Sequence, residues 1–404
     1  MMTIQKRWVI AIMGSFAHLS IGTVYAWSFF QNPISQSYNW SNSMTAWAFS
    51  LAIFILGVTA AWGGKNLNRF GPRKMAVTGS FLYAFGYIIS YFAFKTQSLA
   101  LLYLGFGIIG GMGLGLVYVT PVATVSAWFP DKQGLVTGMV VMGFGLGAFV
   151  MSKLIAPQFM QLFNNDLAKT FLSIGILLLI ILPFFSSFLE PKEKPGSIDK
   201  KQESVIPYIK RIDYILIWFM FLFNIIAGMI FLSFQSPLLQ DLLREKGITN
   251  KIIIENRGAT LIAVSAIFNG LGRFFWGAVS DKIGRISTFR ILFLLQIIIF
   301  IILVFSKDPI IFFVGVCIIL LCYGGGFGVL PSLIKEKYAG LMASIYGITL
   351  IAWGFGGIIG PQIIAFMKDN YPDNAATLSY YIALALLSLG LINSLFLKQK
   401  AVNQ

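Results

Sequence analysis

Charge is what this sequence lacks most. Only 11% of its 404 residues are Asp, Glu, Lys or Arg, against about a quarter in ordinary globular domains. At 57% hydrophobic residues, the chain cannot cover itself with the polar surface of a water-soluble domain. Acidic residues are scarcer still: fifteen against thirty basic ones, and all fifteen fall in loops or at the ends of apolar runs. The two cysteines, Cys317 and Cys322, share one apolar run, which excludes a disulfide framework or a cysteine metal site. Histidine occurs once, as His18, so a His-rich metal centre is excluded as well. The apolar runs hold no paired carboxylates and no nucleophile–base set, which argues against a membrane enzyme. No G-x-x-x-x-G-K-[ST] occurs, so P-loop phosphate chemistry is absent. No cofactor is expected.

What the chain has instead is apolar runs near twenty residues long, recurring along its whole length. A bilayer core about 30 Å thick needs runs of that length to be crossed by helices. The reading is an all-α membrane protein with twelve transmembrane helices, at 8–30, 44–63, 75–95, 99–125, 135–156, 170–189, 213–236, 258–279, 288–306, 310–331, 345–367 and 378–396. The first run follows a basic start and has no small-residue cleavage site, so it reads as a span and not as a cleaved signal peptide. The longest polar stretch, "EPKEKPGSIDKKQESVIPYIKR", divides the chain into a six-helix half at 1–189, a linker at 190–212 and a second six-helix half at 213–404.

A net charge of +15 would suit a nucleic-acid partner, but the basic residues gather in the loops between spans. Loops on the N-terminal side, taken with both tails, hold twenty Lys and Arg against nine on the other side. By the positive-inside rule both termini and the linker are cytoplasmic. The expectation is a multi-pass protein of the cell's inner membrane, partnered by the lipid bilayer and not by nucleic acid. Four of the nine lie between spans seven and eight, which dilutes the rule without reversing it.

The two halves resemble each other. "GGKNLNRFGPRK" follows span two and "WGAVSDKIGRIS" follows span eight, with Gly64 and Gly277 at an offset of 213. "GFGLG" from Gly143 matches "GFGGI" from Gly354, and Pro121 pairs with Pro331. Duplicated helical halves are a common build of secondary transporters, with the site at mid-membrane between the repeats. The second loop, with Gly277, Asp281, Lys282, Gly284 and Arg285, resembles the G-x-L-a-D-r-x-G-r motif of the major facilitator superfamily. The resemblance implies an acid that pairs with basic groups to latch the cytoplasmic side. The first copy keeps Gly64, Arg69 and Gly71 but carries Asn68 in place of the acid, so its latch should be weaker.

Glycines at four-residue spacing mark single helix faces: Gly107, Gly111 and Gly115, then Gly143 and Gly147, then Gly356 and Gly360. Small residues so placed let helix backbones approach closely, and packing is the first reading. A narrower resemblance lies in "GLGLVYVTPVATVSAWFPDKQGLVTGMVVMGFGLG", "GTVYAWSFFQNP" and "FNGLGRFFWGAVSDKIGR". These stretches are similar to the oxalate/formate antiporter family, relatives of the monocarboxylate transporters, and the likeness covers nearly the whole chain. It implies a monomer that exchanges small organic anions, with the arginine matching Arg273 binding the substrate carboxylate.

Physics points to Arg273 independently. An arginine at the centre of a span costs about 2.5–3.5 kcal/mol on insertion scales, so its charge should face a partner or a wet cavity. With no acid deep in any span, an anionic substrate is the natural partner, and a planar guanidinium matches a carboxylate at two points. The alternative is snorkelling to the cytoplasmic surface, since Asp281 lies only about 12 Å further along the helix.

Two departures from the family bear on the substrate. Where the family's oxalate exchangers carry a second cation in span eleven, this chain has Trp353, which suits a monoanion such as formate, lactate or pyruvate. Proton-coupled relatives carry an Asp one turn before the arginine, whereas this chain has Asn269, an amide that cannot carry a proton. Exchange or uniport is therefore expected. Tyr25, Trp27, Tyr118, Tyr323, Phe327 and Trp353 match the family's aromatic positions and are the candidate walls of the site. His18 is a candidate for proton coupling or a neutral, hydrogen-bonded packing residue. Lys153, near the outer end of span five, reads as a snorkelling side chain or part of a cationic vestibule. An importer of an amino acid or larger organic anion is the second reading. An anion channel is a third, and would show far faster turnover without exchange stimulation.

Overall fold

The computed structural model describes residues 2–129, 133–192, 204–338 and 341–398. Among them, twelve helices are long and apolar enough to cross a membrane. In the first half they are α1 (Gln5–Tyr38), α2 (Asn42–Phe70), α3 (Pro72–Lys95), α4 (Leu99–Trp128), α5 (Val136–Leu162) and α6 (Leu167–Ser187). In the second they are α7 (Ile212–Glu245), α8 (Lys251–Ile283), α9 (Arg285–Phe305), α10 (Pro309–Tyr338), α11 (Ser344–Asn370) and α12 (Pro372–Leu395). Residues 193–203 of the expected linker lie outside the described residues; beyond them Ile206–Ile209 forms one short helical turn.

Several helices run past the apolar stretches that mark them. The spans expected to end at residues 30 and 236 continue to Tyr38 and Glu245. Hydropathy reports where side chains turn polar. Gln240, Asp241 and Arg244 end an apolar run on α7 without ending the helix, because backbone hydrogen bonding does not depend on them. Pro33 and Pro237 sit inside these extensions without stopping them.

The duplication seen in the sequence is repeated in the packing. In the first half α1 packs on α5, α2 and α3 pack on α4, and α3 packs on α6. In the second half α7 packs on α11, α8 and α9 pack on α10, and α9 packs on α12. The halves meet along two related antiparallel seams, α2 against α11 and α5 against α8. The end of the bundle holding the start of α1 and the end of α12 is called proximal here, and the opposite end distal.

The glycine faces seat helices within a half. A Cβ on Gly111 or Gly115 would strike α2, one on Gly143 or Gly147 would strike α1, and one on Gly356 or Gly360 would strike α7. The seams between halves use other glycines: a Cβ on Gly145 of α5 would lie 2.7 Å from the Gly270 Cα of α8.

The loop copies also coincide in backbone shape. Gly71 and Gly284, 213 residues apart, end α2 and α8 at φ of 79° and 89°, a region that favours glycine. In the second copy Asp281 pairs with Arg285, which also donates to the Ser280 hydroxyl. In the first copy Asn68 stands for the acid and Pro72 for the arginine, so both partners of that ion pair are missing together.

Candidate functional site

Arg273 lies on α8 one turn proximal to Gly270, and the structure buries it to 1% exposure. It does not snorkel. Gly328 of α10 is the reason it fits: a Cβ there would lie 2.1 Å from the Arg273 carbonyl oxygen, so α10 comes against α8 at the arginine itself. The guanidinium carbon sits 4.6 Å from the centre of the Phe327 ring and 5.4 Å from that of Phe144, in cation–π contact with both. Its Nη1 donates to the Val141 carbonyl at 3.2 Å. Nε and Nη2 have no hydrogen-bond partner among the described residues. These two nitrogens form the side edge of the guanidinium, the edge that takes a carboxylate with two parallel hydrogen bonds.

Around that edge stands an aromatic cage drawn from both halves. Trp353 of α11 packs 4.9 Å from Tyr118, 4.9 Å from Phe327 and 5.6 Å from Phe144, centroid to centroid. Tyr25 packs edge-on to Phe144 at 4.8 Å, and its hydroxyl meets that of Tyr323 at 2.5 Å. A short 3₁₀ turn at Thr23–Ala26 interrupts α1 at this level. Of the residues expected as walls, Tyr25, Tyr118, Tyr323, Phe327 and Trp353 come together with Arg273. Trp27 does not. Its indole donates to Gln31 and lies against Phe49 and Phe106. Two residues along a helix are about 200° apart, so Tyr25 and Trp27 point to opposite sides of α1.

Asn269 sits one turn distal to Arg273, fully buried, with neither side-chain polar atom partnered among the described residues. His18 stacks on Tyr118 at 4.9 Å, and its Nε2 is 2.8 Å from the Tyr118 carbonyl. A carbonyl only accepts, so Nε2 carries the hydrogen and the ring is held as a packed, bonded member of the wall. Lys153 donates to the Thr260 hydroxyl of α8 at 2.7 Å, a bond between the halves. Sequence reasoning missed Phe144 and Tyr346. Tyr346 lies seven residues before Trp353, two helical turns and the same face. Phe144 sits inside the "GFGLG" run that drew attention only for its glycines.

From Arg273 a cavity of about 310 Å³ runs toward the proximal end. One wall is α4 and α5, with Ser126 and Thr137; the other is α8 and α10, with Asp281 and Lys335. At the distal end the halves are bonded together. The Asp369 carboxylate of α11 accepts the backbone N–H groups of Asn42 and Ser43 at 2.8 Å each. The Ser236 N–H donates to the Ser28 hydroxyl at 2.9 Å, and Asn32 to Gln240 at 3.3 Å. No group of three or more His, Cys, Asp or Glu placed to hold a metal ion occurs among the described residues.

Comparison with known proteins agrees with this architecture. The family model described as the Major Facilitator Superfamily matches residues 10–361. The chain is 25% identical over 362 residues, 88% of this chain and 86% of the relative, to an uncharacterized MFS-type transporter, YhjX, of Escherichia coli (strain K12). It is 25% identical over 401 residues to the oxalate:formate antiporter of Oxalobacter formigenes, covering 94% of this chain and 90% of that protein. Over 470 residues it is 22% identical to the apicoplast pyruvate carrier 1 of Toxoplasma gondii, covering 91% and 83%. The protein is thus a multi-pass membrane transporter and not an enzyme. A family match across most of the chain, on a bundle whose two halves pack alike, makes it a member of the Major Facilitator Superfamily.

Proposed function

We propose that this protein is a secondary transporter of small monocarboxylate anions, working by alternating access as an exchanger or uniporter. The observation that carries the reading is the free Nε–Nη2 edge of Arg273, buried between aromatic rings at the head of the proximal cavity. A buried cation with no acid opposite it is satisfied by an anion that arrives and leaves. One buried cation balances one negative charge, and Trp353 adds none. The oxalate:formate antiporter and the pyruvate carrier among the relatives support a small organic acid as the cargo. The basic loops support a cytoplasmic proximal end in an inner-membrane protein, and on that reading the structure is an inward-facing state. The divisions at 189 and 213 are taken as the limits of the two moving halves, and the protein as a monomer.

An importer of an amino acid or larger organic anion is the second reading, and the cavity volume of about 310 Å³ is what favours it. Counterflow in proteoliposomes tests both. Vesicles are loaded with unlabelled formate, lactate, pyruvate or oxalate, and entry of the same labelled anion is followed for the wild type and for Arg273→Gln. Saturable uptake of a monoanion, stimulated from inside and lost in the variant, is expected. If folded protein accumulates none of the four, the monocarboxylate reading fails and amino acids and larger anions are tested next.

A further inference from the structure

Lys153 is a second cation on the seam between α5 and α8, and nothing in the site around Arg273 uses it. Val141, which bonds Arg273, and Lys153 are twelve residues apart on α5, about 18 Å along the helix. One small anion cannot touch both cations. At the distal end Lys95, Lys169, Arg244, Lys251, Lys307 and Lys368 each pair with a carboxylate. Lys153 pairs with none among the described residues. Its ammonium can donate three hydrogen bonds and makes one, to the neutral Thr260 hydroxyl across the seam. The helix is irregular here: Val150–Ile155 widens into a π-helical turn, a deviation frequent at functional sites. That turn packs on α8 and on the Thr23–Ala26 turn of α1. Its Ser152 hydroxyl is buried without a partner among the described residues.

We propose that Lys153 is a second anion site, which takes the carboxylate of a small monocarboxylate at the distal end and couples its arrival to distal opening. The inference rests on the alternating-access reading above and adds to it a site separate from Arg273. Lys153 belongs to the first half and Thr260 to the second, so distal opening separates them. The ammonium then faces the widened seam with no acid to meet it, and a charge so placed is costly until a partner or water arrives. A carboxylate supplies a charge-assisted hydrogen bond in place of the neutral one lost. Ser152, in the same turn, is a neutral donor that nothing else uses. Anion and Thr260 compete for one ammonium, and the anion reaches it only when the halves are apart. A ligand that binds one of two states shifts the equilibrium toward that state. Anion at the distal face therefore favours the form that admits it, while Arg273 remains the anchor about 18 Å deeper.

The test reads distal opening and not transport. Ser28 is buried at the Ser236 contact, so Ser28→Cys in the full-length protein reports opening by its labelling from the distal side. The native Cys317 and Cys322 are buried. Sodium pyruvate is titrated in place of the bulky sulfonate HEPES at constant ionic strength, in an Arg273→Gln background that removes the deeper anchor. Labelling should speed up about tenfold at ten times the site's dissociation constant, while the open form is the minor one. Lys153→Gln should label faster without pyruvate, because the Thr260 bond is gone, and should not respond to it. Lys153→Arg should respond. Thr260→Val should label faster and still respond, which a bond that only holds the halves together would not allow. Labelling of Arg273→Gln blind to pyruvate, or a response that survives Lys153→Gln, overturns the proposal. If Arg273→Gln does not fold, Lys153→Gln is compared with Lys153→Arg with Arg273 in place, and an equal response in the two overturns it. None of these failures touches the transport reading, which falls only if the unaltered protein shows no counterflow.

Discussion

Two points on α5, two helical turns apart on one face, behave oppositely. At Gly145 the halves are in contact, and a Cβ would lie 2.7 Å from the Gly270 Cα across the seam. At Gly138 nothing lies within 4 Å of the same added atom, and the residue lines the proximal cavity. Seven residues advance a helix by about 10 Å, so the seam parts within that distance. Arg273 sits where it parts, its Nη1 on the Val141 carbonyl between the two glycines. The distal contacts and the proximal cavity are thus one arrangement seen from two sides, with Arg273 at the fulcrum. The alternating access proposed above requires the contact now at Gly145 and Gly270 to be able to open while the gap at Gly138 closes.

The largest effect should come from breaking the closed side of that comparison. Gly145→Val drives two methyl groups into the Gly270 backbone, where neither partner can yield by a rotamer change. Overpacking of this kind typically costs about 1–3 kcal/mol; thermal unfolding in detergent should show it, and exchange should fall to background. Gly138→Ala meets open space and adds a better helix former, so its stability should match or exceed the wild type. If both variants unfold alike, the seam is not parted as described.

The fulcrum itself gives the second test. Asn269→Asp places a carboxylate one turn from Arg273, as a competitor for the cation. While ionised it should weaken anion binding by about tenfold or more, since a like charge near a buried site costs at least 1.4 kcal/mol. Protonation removes the competitor, so the variant's affinity should recover as pH falls, where the wild type with its amide shows no such recovery. Half-saturation of exchange between pH 5 and 8 decides it. A variant as tight as the wild type at every pH would mean that Asn269 does not face the same space as the arginine.

How far this arrangement was legible in the sequence follows from which signals survive without side-chain direction. Apolar run length carried the twelve helices, and the 213-residue offset carried the pairing that puts Gly71 and Gly284 in the same backbone state. Arg273 stood out because a lone cation in an apolar run has no bland satisfaction nearby. Direction around a helix axis was where reading from sequence stopped. Trp27 could not face the cage with Tyr25 two residues away, and Tyr346 could be found only by counting two turns back from Trp353. The distal bonds were also hidden. Asp369 and Asn42 are ordinary polar residues at helix ends until α2 and α11 are laid side by side.

Asp369 is the next step down in size. It accepts two backbone N–H groups at the start of α2 and the Asn42 side chain at 3.0 Å, serving as an N-terminal cap lent by the other half. Helix caps contribute about 1 kcal/mol, roughly fivefold in an equilibrium. Asp369→Asn should therefore shift the population about fivefold toward the distal-open state. Labelling of a Ser28→Cys reporter from the distal side would show it, the native Cys317 and Cys322 being buried. No increase in labelling would remove Asp369 from the closure.

The smallest effect sharpens the contrast from the proximal end, where the ion pairs of Glu190 tie the first residue of the linker to the first half and do not reach the second. Lys6 at 2.5 Å and then Arg73 at 2.8 Å hold the Glu190 carboxyl below the usual carboxylate range. A depressed folded-state value means that the stabilisation is present above the unfolded value of about 4.3 and is lost as pH falls through the folded one. The pairs are exposed and screened, so Lys6→Gln should cost only a few tenths of a kcal/mol at neutral pH. That difference should vanish in high salt and in acid strong enough to protonate Glu190. Since neither partner crosses a seam, the Ser28→Cys reporter should label in Lys6→Gln as it does in the wild type. A shift there like that of Asp369→Asn would mean that the two ends are not divided into bonds within halves and bonds between them.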